Sequence, residues 1–84
     1  MYYVYLIQCE DGSFYTGITA NVERRFKEHQ TKSGGWYTKL HKAIKLLYTE
    51  RYATKHEALR REKQIKGWRR EKKLNLIKFG KPVI

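Results

Sequence analysis

The amino-acid sequence predicts an α+β fold with its elements in the order β-β-α-β-α-α. Three observations lead there. Tyr2–Cys9 and Phe14–Thr19 are short runs rich in aromatic and β-branched residues, parted by an Asp11-Gly12 turn signal. Two later stretches, opened by Asn21 and by Thr54, carry apolar residues at helical spacing behind capping residues. Between them Ile44–Tyr52 returns to strand composition with loose alternation.

In the first strand Tyr3, Tyr5 and Ile7 share one face and Tyr2, Val4 and Leu6 the other, so both faces are expected to be covered. Gly17, inside the second strand, serves no local turn; a strand glycine there marks a bulge or a close approach of another backbone or a ligand. Asn21 is an N-cap for a helix over Val22–Thr31, on which Val22, Arg25, Phe26 and His29 share a face. Lys32–Tyr37 reads as a loop around Gly34-Gly35, and Thr38–Lys42 as a short helical turn. Thr54-Lys55-His56-Glu57 is a capping box, in which Glu57 reaches back to the Thr54 backbone N–H. Its helix runs to Lys66, with Gly67 as the stop, and a last helix over Trp68–Lys78 presents Leu74 and Ile77.

At 84 residues the chain has room for one small domain, spanning 1–84, and a chain of this size buries only roughly 60–65% of its unfolded surface. Twelve aromatic residues argue against disorder. Cys9, the single cysteine, cannot form an internal disulfide and reads as a small core residue. No basic residue precedes the apolar run Met1–Cys9, and no stretch approaches the ~20 apolar residues of a membrane span, so a cytoplasmic protein is expected. The net charge is +11, and it is unevenly placed: residues 51–84 hold twelve Lys and Arg against three Glu. That asymmetry points to a polyanionic partner, most simply nucleic acid, against the plainer reading of a solvated basic surface.

Two placements break the apolar patterns. Glu62 lies on the stripe of Ala58 and Ile65, with Leu59 alongside, while Arg60, Arg61, Lys63 and Lys66 occupy the rest of the helix. An inward carboxylate needs a partner, and both an ion pair with a nearby cation and a divalent-cation site meet that need. Arg25 and His29 sit among Val22 and Phe26; there Arg can lay its stem along apolar surface and His can be a satisfied border residue. The strand tyrosines read first as core. Taken together, tyrosine hydroxyls, an arginine, a histidine and one carboxylate suit phosphodiester hydrolysis. That reaction needs a base, positive charge on the phosphate and help for the leaving oxygen.

The order of these residues carries a resemblance. Tyr3-Val4-Tyr5, then Tyr15-Thr16-Gly17, Arg25-Phe26-Lys27-Glu28-His29 and Ala58-Leu59-Arg60-Arg61-Glu62 resemble the GIY-YIG endonuclease superfamily, in particular its short, stand-alone, uncharacterised bacterial branch. The resemblance covers Met1 to about Ile77 and implies a three-stranded antiparallel sheet flanked by helices. It implies that Tyr5 and Tyr15 are the motif tyrosines, one acting as or assisting the general base. Gly17 would be the close-approach glycine, Arg25 the contact to the scissile phosphate and His29 the accessory polar residue. Glu62 would be the ligand of one Mg²⁺ or Mn²⁺. Tyr3 and Val4 stand where the family has glycine and isoleucine, and Thr16 where it has isoleucine; Asn75 is the candidate for the late polar residue of many members.

Three functions follow from these readings. The first is a metal-dependent endonuclease-type domain acting on DNA or on branched or damaged nucleic acid. The second is a non-catalytic binding module that grips nucleic acid through Lys39, Arg60, Arg61, Lys63, Lys66, Arg69 and Arg70, with Trp36, Tyr37 and Trp68 stacking on bases. The third is an interaction subunit of a larger nuclease system, in which a protein partner supplies specificity.

Overall fold

The structure, a computed structural model, describes residues 1–30 and 42–80. Its elements are β1 (Tyr2–Cys9), β2 (Phe14–Thr19), α1 (Val22–Gln30), β3 (Ala43–Tyr52), α2 (Lys55–Lys66) and α3 (Arg70–Phe79). The strands form one antiparallel sheet in the order β2-β1-β3, as the resemblance implies. The expected loop at Lys32–Tyr37 and the residues Lys39, Trp36 and Tyr37 lie outside the described residues. No helix among the described residues is long and apolar enough to cross a membrane.

The Asp11-Gly12 signal makes the β1–β2 hairpin. Gly12 takes φ +86°, the left-handed region that an L side chain resists, and the Asp11 carboxylate accepts from the Ser13 backbone N–H at 3.0 Å. Pairing runs from Tyr3 opposite Thr19 to Gln8 opposite Phe14. On its other edge β1 pairs with β3, with irregularities between Leu6 and Ile7 and between Gln8 and Cys9.

The alternation of β1 divides the interior in two, as its sequence predicts. Val4 and Leu6 join Ala58, Ile65 and Leu76 in one cluster, beneath α2 and α3. Tyr5 and Ile7 join Ala43 on the opposite face, with Tyr15 and Phe26 packed against them. Cys9 is fully buried and free, as a core residue should be.

A polar knot lies on the α2 side. Tyr48, Glu50 and Tyr52 alternate along β3, so their side chains share a face. The Glu50 carboxylate accepts from Tyr48 Oη at 2.6 Å, Tyr52 Oη at 2.7 Å, Arg61 Nε at 2.8 Å and an Arg61 terminal nitrogen at 3.0 Å. Burial alone would raise the Glu50 carboxyl, but the bonds from Arg61, Tyr48 and Tyr52 and the Arg61 charge together hold it below its usual value.

The helices depart from expectation in detail. Thr54 caps α2 by accepting from the Glu57 N–H at 3.2 Å, but the Glu57 carboxylate turns to the Thr54 hydroxyl at 3.0 Å rather than to the backbone N–H. Leu59 is exposed, because α2 rests on the sheet through Ala58 and Ile65. The last helix starts at Arg70, after a turn in which the Gly67 and Trp68 N–H groups bond to the carbonyls of Gln64 and Ile65. It buries Leu76 and half-buries Ile77, while Leu74 is exposed. The turn sets the direction of α3, and with it the face that meets the core.

Candidate nuclease site

Three elements, β1, β2 and α1, build the Tyr5 face of the sheet, and α2, packed on the opposite face, reaches it past β2. β1, the central strand, delivers Tyr5, 3% exposed, and β2 delivers Tyr15 and Gly17 beside it. Gly17 is the register partner of Tyr5. A Cβ built on Gly17 would lie 2.5 Å from the Tyr5 oxygen and 2.7 Å from its Cζ, so the close approach foreseen for this glycine is made by the Tyr5 ring.

α1 adds Arg25 and His29, one turn apart on the flank that faces the sheet. Asn21 starts this helix by accepting from the Arg24 N–H at 3.0 Å. His29 is 1% exposed, and its Nε2 lies 2.9 Å from the Tyr5 hydroxyl. The rings of Tyr5, Tyr15 and His29 form a triangle with centroids 6.3, 5.7 and 5.2 Å apart. Arg25 stands at the rim, half-exposed, with Glu28 3.6 Å from its guanidinium.

Burial and the positive charge of Arg25 lower the His29 pKa and favour the neutral ring. Burial, reinforced by Tyr15, raises the Tyr5 pKa well above the ordinary phenol value, with Arg25 opposing and Glu62 adding to the rise. A protonated Tyr5 beside a neutral imidazole shares one proton across this contact, and the tautomer of the ring sets which side donates. With the ring proton on Nδ1, Tyr5 donates its O–H and Nε2 accepts.

α2 closes the site from the β2 side. Glu62 is 17% exposed, and Lys66, one turn on, lies 3.6 Å from its carboxylate with its ammonium 5.7 Å from the centre of the Tyr15 ring. Glu62 thus has the ion-pair partner that one of its two readings required, and its charge reaches Tyr5. Among the described residues there is no cluster of three or more His, Cys, Asp or Glu. That donor set does not suit Zn²⁺ or Ca²⁺, which need several protein ligands. One carboxylate does suit Mg²⁺, which keeps most of its waters and completes its shell from phosphate oxygens.

The remaining basic residues go elsewhere. Arg61 turns to the sheet and is held by Glu50, 20% exposed, with its guanidinium 5.0 Å from the Trp68 ring centre. Arg70 lies 4.1 Å over the Phe14 ring and donates to the Gly12 carbonyl at 2.9 Å. Arg60, Lys63 and Arg69 are exposed. Asn75 is half-buried on α3. Sequence reasoning passed over Lys73, half-buried on α3; it foresaw an ion pair of Glu62 with a nearby cation, and the i,i+4 spacing of Lys66 was the signal for which one.

Comparisons with known proteins bear on the family and the fold. A family model described as the GIY-YIG catalytic domain matches residues 1–75. The chain is 44% identical over 79 residues to a UPF0213 protein of Staphylococcus saprophyticus, covering 94% of this chain and 96% of that protein. It is 47% identical over 77 residues to a UPF0213 protein of Staphylococcus aureus strain Mu50, covering 92% and 94%. The solution NMR structure of the UPF0213 protein BH0048 from Bacillus halodurans is similar with a TM-score of 0.59 and 40% identity, over 93% of this chain and 84% of that one.

Proposed function

The chain belongs to the GIY-YIG catalytic-domain family, a nuclease-type family, and from that premise we propose that it is a metal-dependent endonuclease domain hydrolysing phosphodiester bonds in DNA, branched or damaged structures included. The observation that carries the reading is the buried Tyr5–His29 hydrogen bond, flanked by Tyr15 and within electrostatic reach of Arg25 and Glu62.

Hydrolysis forms a bond from a water oxygen to phosphorus as the bond to the leaving oxygen breaks. The water must lose a proton. Tyr5 alone is a poor base, because its raised pKa keeps it protonated. Coupled to His29 it is competent: the Tyr5 oxygen accepts the water proton while its own proton passes to Nε2. His29, held neutral, is ready to receive it. Arg25 at the rim supplies donors and positive charge for the phosphate oxygens. Tyr15 packs against His29 and fixes the ring that takes the proton.

Nucleases of this family generally use divalent metal ions. Glu62 would hold one Mg²⁺ or Mn²⁺, which supplies charge neutralisation at the phosphate and the leaving oxygen. A second reading, a nucleic-acid-binding module without catalysis, is favoured by the Glu62–Lys66 pair, which already gives the carboxylate a counter-ion.

The test is nicking of supercoiled plasmid and cleavage of a branched oligonucleotide in Mg²⁺ and in Mn²⁺, with Arg25→Ala and Glu62→Ala beside the native protein. Activity lost in both variants supports the nuclease. Cleavage that persists in Glu62→Ala at the native rate overturns it.

A further inference from the structure

We propose that Lys66 and Lys73 form a clamp for a phosphate next to the one cleaved, so that the nucleic-acid strand enters along the β2 edge of the sheet. The inference rests on the nucleic-acid reading above and names the side from which the strand arrives.

Two helices bring cations to consecutive rings of one strand, one on each face at the β2 edge. Lys66 of α2 lies over Tyr15 and Arg70 of α3 lies over Phe14. The Arg70 bond to the Gly12 carbonyl ties α3 to the tip of the hairpin. Lys73 follows Arg70 by three positions and so lies on the same flank of α3. Arg70 is thus a positioning residue, which holds Lys73 beside the β2 edge.

Lys73 is half-buried and has no carboxylate partner among the described residues. Lys66 shares its charge with Glu62 but remains half-exposed. Burial and the neighbouring Lys66 charge hold the Lys73 ammonium below the ordinary lysine range. Like charges brought together by two separate elements repel, and neither ammonium contributes to the apolar core. An anion between them removes the repulsion. A phosphodiester oxygen matches that need, and Tyr15 beside Lys66 places it next to the reacting group. Arg60 differs, since helical spacing puts it on the flank of α2 away from Glu62 and Lys66.

The test is equilibrium binding of a fluorescein-labelled DNA duplex and its single strand in EDTA, across a KCl series, for the native protein, Lys66→Gln, Lys73→Gln and the charge-matched Lys45→Gln. Lysine 45 lies exposed on β3. Each clamp variant is expected to lower the slope of log affinity against log salt by about 0.7–0.9. That amounts to about threefold less loss of affinity between roughly 50 and 200 mM salt. Lys45→Gln is expected to keep the native slope, and a Lys73→Gln slope equal to the native one overturns the clamp.

A second measurement needs no variant. Single uncharged methylphosphonates stepped along the strand should reveal one position beside the cleavage site where neutralisation weakens native binding, and no such position overturns the proposal. If the slopes fall but no protein cleaves, the two-lysine phosphate contact stands and the nuclease reading falls. If cleavage depends on Arg25 and Glu62 while the slopes hold, the reverse is true.

Discussion

The Tyr5 hydroxyl occupies the space above Gly17 that any side chain would claim, with a Cβ there only 2.5 Å from the Tyr5 oxygen. Gly17→Ala must therefore displace the Tyr5 ring or spread the β1–β2 pair. The substitution is expected to cost about 1–3 kcal/mol. It should also part Tyr5 from His29, so that cleavage falls further than the loss of folded protein explains. Thermal melts and nicking rates on the same preparation separate the two effects.

Tyr5→Phe removes one oxygen and keeps the ring over Gly17. The relay to His29 is broken, and the buried imidazole loses its Tyr5 partner, so a folding cost of about 1–3 kcal/mol is expected and is read from the same melts. Loss of a positioned acid–base group is expected to slow cleavage about 10²- to 10⁴-fold. A Tyr5→Phe protein that nicks plasmid at the native rate would remove Tyr5 from the reaction.

Stability should depend on acid in two stages. The folded His29 pKa lies below the unfolded value of 6.5, so its contribution is complete above that pH. As pH falls from there the unfolded chain binds the extra proton, and the contribution is lost through the folded pKa. Glu50 adds a second loss as pH falls below 4.5, since its folded pKa is also depressed. Urea midpoints measured across pH should fall in both windows. In His29→Gln the first fall should vanish and the second remain.

Arg61→Ala should act on the fold more than on binding. It strips the ion pair from a Glu50 carboxylate that is 15% exposed, leaving only Tyr48 and Tyr52 as donors. The expected cost is about 2–4 kcal/mol. Urea denaturation reads that loss, and the salt slope of DNA binding should stay near the native value.

Thr16 offers a gain. Its hydroxyl is buried and has no hydrogen-bond partner among the described residues. Thr16→Val keeps the shape and removes the unmet oxygen, so about 1 kcal/mol of added stability is expected. In a chain of this size that raises the melting temperature by roughly 4–8 °C.

The strands and α1 were legible because their signals are local. Alternation placed Tyr5 and Val4 on opposite faces, Asp11-Gly12 marked the turn, and Asn21 marked the helix start. Docking was not legible. Tyr48, Glu50 and Tyr52 alternate visibly, yet nothing in their spacing says that Arg61 will answer them from a helix. Leu76, not Leu74, meets the core because the turn at Gly67 and Trp68 directs the last helix. In the candidate site, chain order brought Tyr5, Tyr15, Arg25, His29 and Glu62 to notice. The Tyr5–His29 bond depends on how α1 leans on the sheet, and the placing of Lys73 on a contact between residues 58 positions apart.

The strand order β2-β1-β3 sets the first-made strand in the middle of the sheet. During synthesis the hairpin emerges early, but one edge of β1 stays open until Ala43–Tyr52 follows. Glu62 and the Arg70 tie to Gly12 come later still. A growing polypeptide thus carries Tyr5, Arg25 and His29 past the ribosome before Glu62 and Lys66, which α2 later brings beside them. Tyr5, His29 and Glu62 come together only once α2 has left the exit tunnel, so on the proposed nuclease reading the nascent chain is inactive until then.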